Sequence, residues 1–165
     1  MITYFLISLI LCLIITIVYN TFVIVRYKKI PESLSETSYL LGGNKRYFFT
    51  TYCILVCLLL LPILLEITPT NYQIIPFIFC GGLSFAGCSP LFREGLDKKI
   101  HYISAYIAFG AFILYMVLCM HWIYIIIYIL LLGALCLWKY KCYVYFAEIL
   151  ALLFLIFYSF YTMFI

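Results

Sequence analysis

Four side chains in this sequence are of types that could do chemistry together. His101 and Ser104 open one apolar run, Asp97 stands just before them, and Glu148 lies about five residues into another run. An imidazole near a hydroxyl and carboxylates is the set a hydrolase uses as base, nucleophile and acid. Asp97, His101, Ser104 and Glu148 are therefore the catalytic candidates, with lipid as the substrate class their setting implies. Ordinary hydrogen bonding between helices, at about 0.6 kcal/mol per contact, competes with that reading. A carboxylate in hydrocarbon costs about 2.5 kcal/mol or more, so Glu148 needs a partner, a proton, or a path by which to snorkel towards Lys139 or Lys141. Other chemistry fails on spacing. His101 and His121 lie at opposite ends of one run, about 30 Å apart at helical rise, too far to share the three or four ligands of a zinc site. No Gly-x-Ser-x-Gly, phosphate loop or dinucleotide fingerprint occurs. The expectation is no metal and no cofactor.

The elements that hold these residues are set by the solvent. Of the 165 residues, 68% are hydrophobic and 10% charged, and mean hydropathy is +1.22. A soluble domain keeps about a quarter of its residues charged, so lipid must cover most of this exterior. The length suits a single transmembrane domain over 1–165. A spanning helix takes about 20 mostly apolar residues, and six segments approach that: Thr3 to Val25, Tyr47 to Leu65, Asn71 to Leu91, Ile100 to Cys119, Trp122 to Trp138 and Tyr143 to Phe164. The fold class expected is all-α, a bundle of six transmembrane helices. If the third segment is re-entrant, the full spans number five. The first run lacks a positive n-region and a small-residue cleavage site, which reads as a retained span.

The ten Lys and Arg set the orientation. Arg26, Lys28, Lys29, Lys45 and Arg46 fall between the first two spans; Arg93, Lys98 and Lys99 between the third and fourth; Lys139 and Lys141 between the last two. The alternate loops carry none. The positive-inside rule places the basic loops in the cytoplasm and both the N-terminus and the C-terminus on the extracytoplasmic side. Cations so dispersed do not make a nucleic-acid patch, whereas they do meet anionic headgroups. Membrane lipids are the first expected partners. Tyr27, Tyr47, Tyr72, Tyr102, Tyr124, Tyr140 and Tyr143 flank the spans as interfacial anchors. Seven of the eight cysteines fall in apolar runs and read as small packing residues with free thiols.

Three further features bear on function. Asn20, Thr21, Ser84, Cys88, Ser89, His101, Ser104 and Glu148 all fall towards the cytoplasmic side, which predicts either a polar pocket there or scattered helix contacts. The loop at 31–43 can form a short helix from Pro31 to Gly43, resting on the cytoplasmic membrane face through Leu34, Tyr39, Leu40 and Leu41, or closing over a cavity. In the third segment Cys80, Ser84 and Cys88 share a face, with Gly81 and Gly87 beside them. Opposite the strip of Ser104, Ala105, Ala108 and Ala111, they predict a close helix-packing seam.

PESLSETSY from Pro31, followed by LLPILLEITP, GLSFAGCSPLF and DKKIHYISA, resembles small multi-span membrane proteins of gut-type Bacteroidetes and their phages. The likeness covers Pro31 to Ala111. That group has no assigned activity, so the resemblance lends no catalytic residues; it implies a bacterial inner membrane. A fainter similarity runs to the ceramidase-like membrane hydrolases, and it implies Ser35, Asp97, His101 and Ser104 as site residues. The histidine pair those enzymes carry on a late helix is absent here. The function expected is a non-enzymatic channel, transporter-like or membrane-perturbing component, forming a homo-oligomer or joining a membrane partner protein. The alternatives are a lipid-directed hydrolase and a structural, partner-binding subunit.

Overall fold

The apolar runs are helices, and their ends fall where the breakers are. The structure is a computed structural model that describes residues 2–89, 96–138 and 140–164. Its α-helices are α1 (Ile2–Tyr27), α2 (Glu36–Leu41), α3 (Tyr47–Ile67), α4 (Ile74–Cys88), α5 (Leu96–Cys119), α6 (Trp122–Trp138) and α7 (Tyr143–Phe164), joined by short 3₁₀ turns. No strand occurs among the described residues. Pro76 sits in the first turn of α4, where its missing N–H costs nothing. Pro62 lies inside α3 without ending it. The link between α5 and α6 is Met120-His121 alone, closed by bonds from Met120 N to Met116 O (3.3 Å) and Tyr124 N to His121 O (3.0 Å).

Four of these helices, α1, α3, α5 and α7, are long and apolar enough to cross a membrane. The other two large helices are shorter. With 17 residues, α6 reaches about 25 Å at 1.5 Å per residue; with 15, α4 reaches about 22 Å, against a hydrocarbon core of about 30 Å.

The helix neighbours run α5, α4, α3, α1, α7, α6 and back to α5, with α3 also touching α7. That gives α3 the central place. It buries Phe49, Tyr52, Cys53, Val56, Leu60, Ile63 and Leu64, a stripe at helical spacing along one side. The most extensive pairing is α4 with α5, and the reason is Gly82. A Cβ there would stand 2.8 Å from Ala108 N and 2.9 Å from Ser104 O, so only glycine lets the backbones meet. Cys80 and Gly87 turn towards α3 instead. Thr50 Oγ1 donates to Gly87 O at 2.7 Å, and Cys57 Sγ donates to Cys80 O at 3.3 Å. The single seam expected over Cys80, Gly81, Ser84, Gly87 and Cys88 is therefore two seams on two faces. Gly81 belongs to neither, because open space lies where its Cβ would be.

Candidate functional site

The segment from 30 to 41 packs into one end of the helix bundle. Pro31 and Thr37 are fully buried, and Leu34, Ser35, Ser38 and Leu41 are buried beside them. Its helix, α2, has only six residues, and of the four apolar side chains expected to rest on the membrane face, Leu34 and Leu41 are buried, Leu40 is half-buried and Tyr39 is exposed.

Its path is set by three contacts with the start of α7. Cys142 Sγ donates to Ile30 O at 3.6 Å. Tyr145 N donates to Glu32 O at 3.1 Å, and Leu34 N donates to Glu148 Oε2 at 2.6 Å. Residues 142, 145 and 148 repeat every third position, as one helix face does. The segment runs along that face through bends at 32 and 33 and a turn at 34 and 35, and Leu34 meets α7 about 9 Å beyond Cys142. Buried non-helical backbone needs its polar groups satisfied by protein. The Tyr145 N–H is one of the orphan donors of a helix first turn, and Glu32 satisfies it. Leu34 N–H is satisfied by the carboxylate that sequence alone marks as costly.

Two tyrosines and a threonine hold the bottom of the segment. Thr37 Oγ1 donates to Leu34 O, which leaves its lone pairs to accept from the Tyr19 hydroxyl. The Tyr145 hydroxyl donates to Asn20 Oδ1 at 2.8 Å, and Asn20 Nδ2 donates to Thr16 O at 2.7 Å. Tyr52 stacks flat on Tyr19, ring centroids 4.4 Å apart. Its hydroxyl is buried beside Thr16 and Asn20. At the mouth, Lys29 pairs with Glu36 at 3.0 Å, Ser33 Oγ accepts from Glu36 N at 3.1 Å, and Glu36 also accepts from Glu32 N.

His101 is used elsewhere. It is buried between α4 and α5, with Nδ1 3.1 Å from Ser89 Oγ and 3.2 Å from Ala86 O. Ser89 itself donates to Ala86 O at 2.8 Å, so His101 and Ser89 gather at the carbonyl of the last turn of α4. Ser104 is buried on the same helix pair, its carbonyl facing Gly82. His101 bonds to α4 and Glu148 to the inserted segment. Asp97 belongs to α5, and its side chain, like Arg93, Lys98 and Lys139, lies outside what the structure describes. His121 is exposed at the turn before α6. Among the described residues no group of three or more metal-ligating side chains occurs.

Tyr145, Tyr19, Thr37 and Thr16 went unremarked in the sequence. The available signals were Tyr145 and Glu148 at i, i+3 on one face of α7, and Thr16 and Asn20 at i, i+4 on α1. Tyrosine as a class is double-natured here. Tyr47, Tyr72, Tyr102 and Tyr143 are exposed as anchors, while Tyr19, Tyr52, Tyr115, Tyr128, Tyr145 and Tyr158 are core. A second buried polar group, at the other end of the bundle, also follows from this. Thr68 Oγ1 donates to the Tyr115 hydroxyl at 3.0 Å, and the Tyr158 hydroxyl donates to Cys119 O at 2.6 Å. That end of the bundle is therefore not purely apolar.

Fold and site together define a class: an all-helical protein with four helices fit to cross a membrane and a short segment folded back into one end of the bundle. Comparison with protein families, with curated proteins and with solved structures returns no match.

Proposed function

We propose that this chain is a six-span integral membrane protein of the bacterial inner membrane, acting without covalent chemistry as a gated, transporter-like component. In this reading α4 and α6 also cross, their shortness met by local bilayer thinning, and both termini are extracytoplasmic. The cation pattern supports that orientation, because the segment from 30 to 41 and the 141–142 turn then share the cytoplasmic end. The observation that carries the function is the bond from Leu34 N to Glu148. An intramembrane carboxylate is by default a functional residue, and this one latches a re-entrant segment, the backbone form tolerated only inside protein or beside a water-filled path. Releasing the latch opens the cytoplasmic end; remaking it closes it. Proteoliposome flux under proton, sodium and potassium gradients tests this. Wild type should exceed empty liposomes, and Glu148→Gln should change the rate several-fold. Absence of wild-type flux, or flux indifferent to Glu148→Gln, would remove the gate.

A second reading, a subunit that binds a copy of itself or a membrane partner, draws on α6. That helix buries only Tyr128 among its residues, and Leu137 is 91% exposed. Cross-linking through α6 in native membranes separates the two readings.

A further inference from the structure

Three helices bring cysteines to one place, each from near its own middle. Cys57 is the eleventh of the 21 residues of α3, Cys80 the seventh of the 15 of α4, and Cys12 the eleventh of the 26 of α1. We propose that Cys57 and Cys80 hold a soft monovalent metal ion, Cu(I), as the substrate of the gate. The inference rests on the gated, transporter-like reading above, whose substrate class it names.

Four observations carry it. First, the two thiols meet across the α3–α4 seam. Cys57 Sγ donates to Cys80 O at 3.3 Å, and its sulfur stands beside the Cys80 thiol and Ser84. Second, protein encloses the pair. Cys57 is 6% and Cys80 3% exposed, and Val56 and Leu60, on the same helix as Cys57, are fully buried. The fully buried Cys12 neighbours both thiols of the pair. Third, Cys57 lies about 15 Å along α3 from Tyr47, half of a hydrocarbon core of about 30 Å. That is the level at which transporters hold their substrates. Fourth, the thiols continue towards the latch. Cys53, one turn from Cys57, neighbours both Cys88 at the end of α4 and Glu148, so an ion entering past the latch meets Cys53 before it reaches the pair.

The donor set selects the ion. Soft sulfur ligands favour Cu(I), which accepts two of them. A zinc site takes three or four ligands, a number that the described residues do not gather. Binding displaces one proton. Cu⁺ replaces the hydrogen on one thiol and forms a Cu–S bond there, the other thiol coordinates through a sulfur lone pair, and H⁺ leaves to solvent. No oxidation state changes, and the complex is neutral, as a site in apolar surroundings requires.

The test uses the full chain in detergent, loaded with Cu(I) under ascorbate without oxygen, washed with the Cu(I) chelator bathocuproine disulfonate and assayed for retained metal. Wild type should keep one Cu(I) per chain. Cys57→Ser and Cys80→Ser, each checked for intact helicity, should lose it, since serine keeps the donor to the Cys80 carbonyl but not the soft ligand. Cys119→Ser with Cys136→Ser, away from the pair, should keep it. X-ray absorption of the loaded wild type needs no variant to fold, and should show two sulfur neighbours at the copper. Zn(II) offered in place of Cu(I) should wash out. No copper retained by wild type, copper retained by a folded Cys57→Ser variant, nitrogen or oxygen at the metal, or equal retention of zinc would overturn the proposal. None of these results depends on flux, so the two ideas can fail separately: copper held by a chain without flux keeps the site and removes the gate.

Discussion

Replacing Glu148 with leucine is the sharpest perturbation, because it removes the acceptor of Leu34 N–H and nothing else on the segment. The Leu34 side chain is 3% exposed, and its amide is aimed into α7, so water does not readily replace the lost partner. A buried donor left unpaired costs about 1–3 kcal/mol. If the segment escapes this by leaving the bundle, the open population rises about 5- to 150-fold. Glu148→Gln keeps a carbonyl acceptor and loses only the charge assistance, so its effect should be smaller. Cys142 reports the opening without any engineered label. Its thiol is 8% exposed and bonds Ile30 O at the top of the segment. Labelling with an impermeant maleimide, located by peptide mass spectrometry, should be fastest in Glu148→Leu, intermediate in Glu148→Gln and slow in wild type. Cys53, fully buried in α3, should stay unlabelled in all three, which separates opening from unfolding. Wild-type labelling rates in a folded Glu148→Leu variant would refute the latch.

The packing makes its own predictions, read as the midpoint of unfolding in mixed micelles. Gly82→Ala should lower stability by about 1–3 kcal/mol, since the atoms its Cβ meets are backbone and cannot rotate away. Gly81→Ala, one residue along with open space around it, should be neutral or stabilising by up to about 1 kcal/mol from helix propensity. Tyr145→Phe should cost about 0.6–1.7 kcal/mol through the bond to Asn20 Oδ1, and should speed Cys142 labelling less than Glu148→Leu.

The helices were legible and the inserted segment was not, for a single physical reason. A spanning helix satisfies its own backbone, so its only demand on the sequence is a long apolar run. Trp122–Trp138 and Tyr143–Phe164 accordingly end in the structure at the residues where the apolar runs end. The segment from 30 to 41 places two of its backbone groups on residues more than a hundred positions away, Glu32 O on Tyr145 N and Leu34 N on Glu148, and composition near 31–43 carries no trace of that. Pro31, two glutamates and three serines look the same whether they rest on a membrane or enter a protein.

What the sequence does contain is the other half of the contact. Glu148 stands out because a carboxylate within an apolar run must be compensated. Lys139 and Lys141, the candidates that spacing offers, are charged side chains; the structure gives Glu148 Oε2 the backbone N–H of Leu34. Side chains are visible to spacing arguments; an unpaired main-chain amide is not, since every residue but proline has one. The consequence reaches the functional reading. A Glu148 paired with His101 would have suggested proton transfer to or from a substrate. In the gate proposed above, a Glu148 that binds a peptide amide on the packed-in segment would set where that segment sits. The chemistry available to it is the making and breaking of one buried hydrogen bond, and a gate needs no more than that.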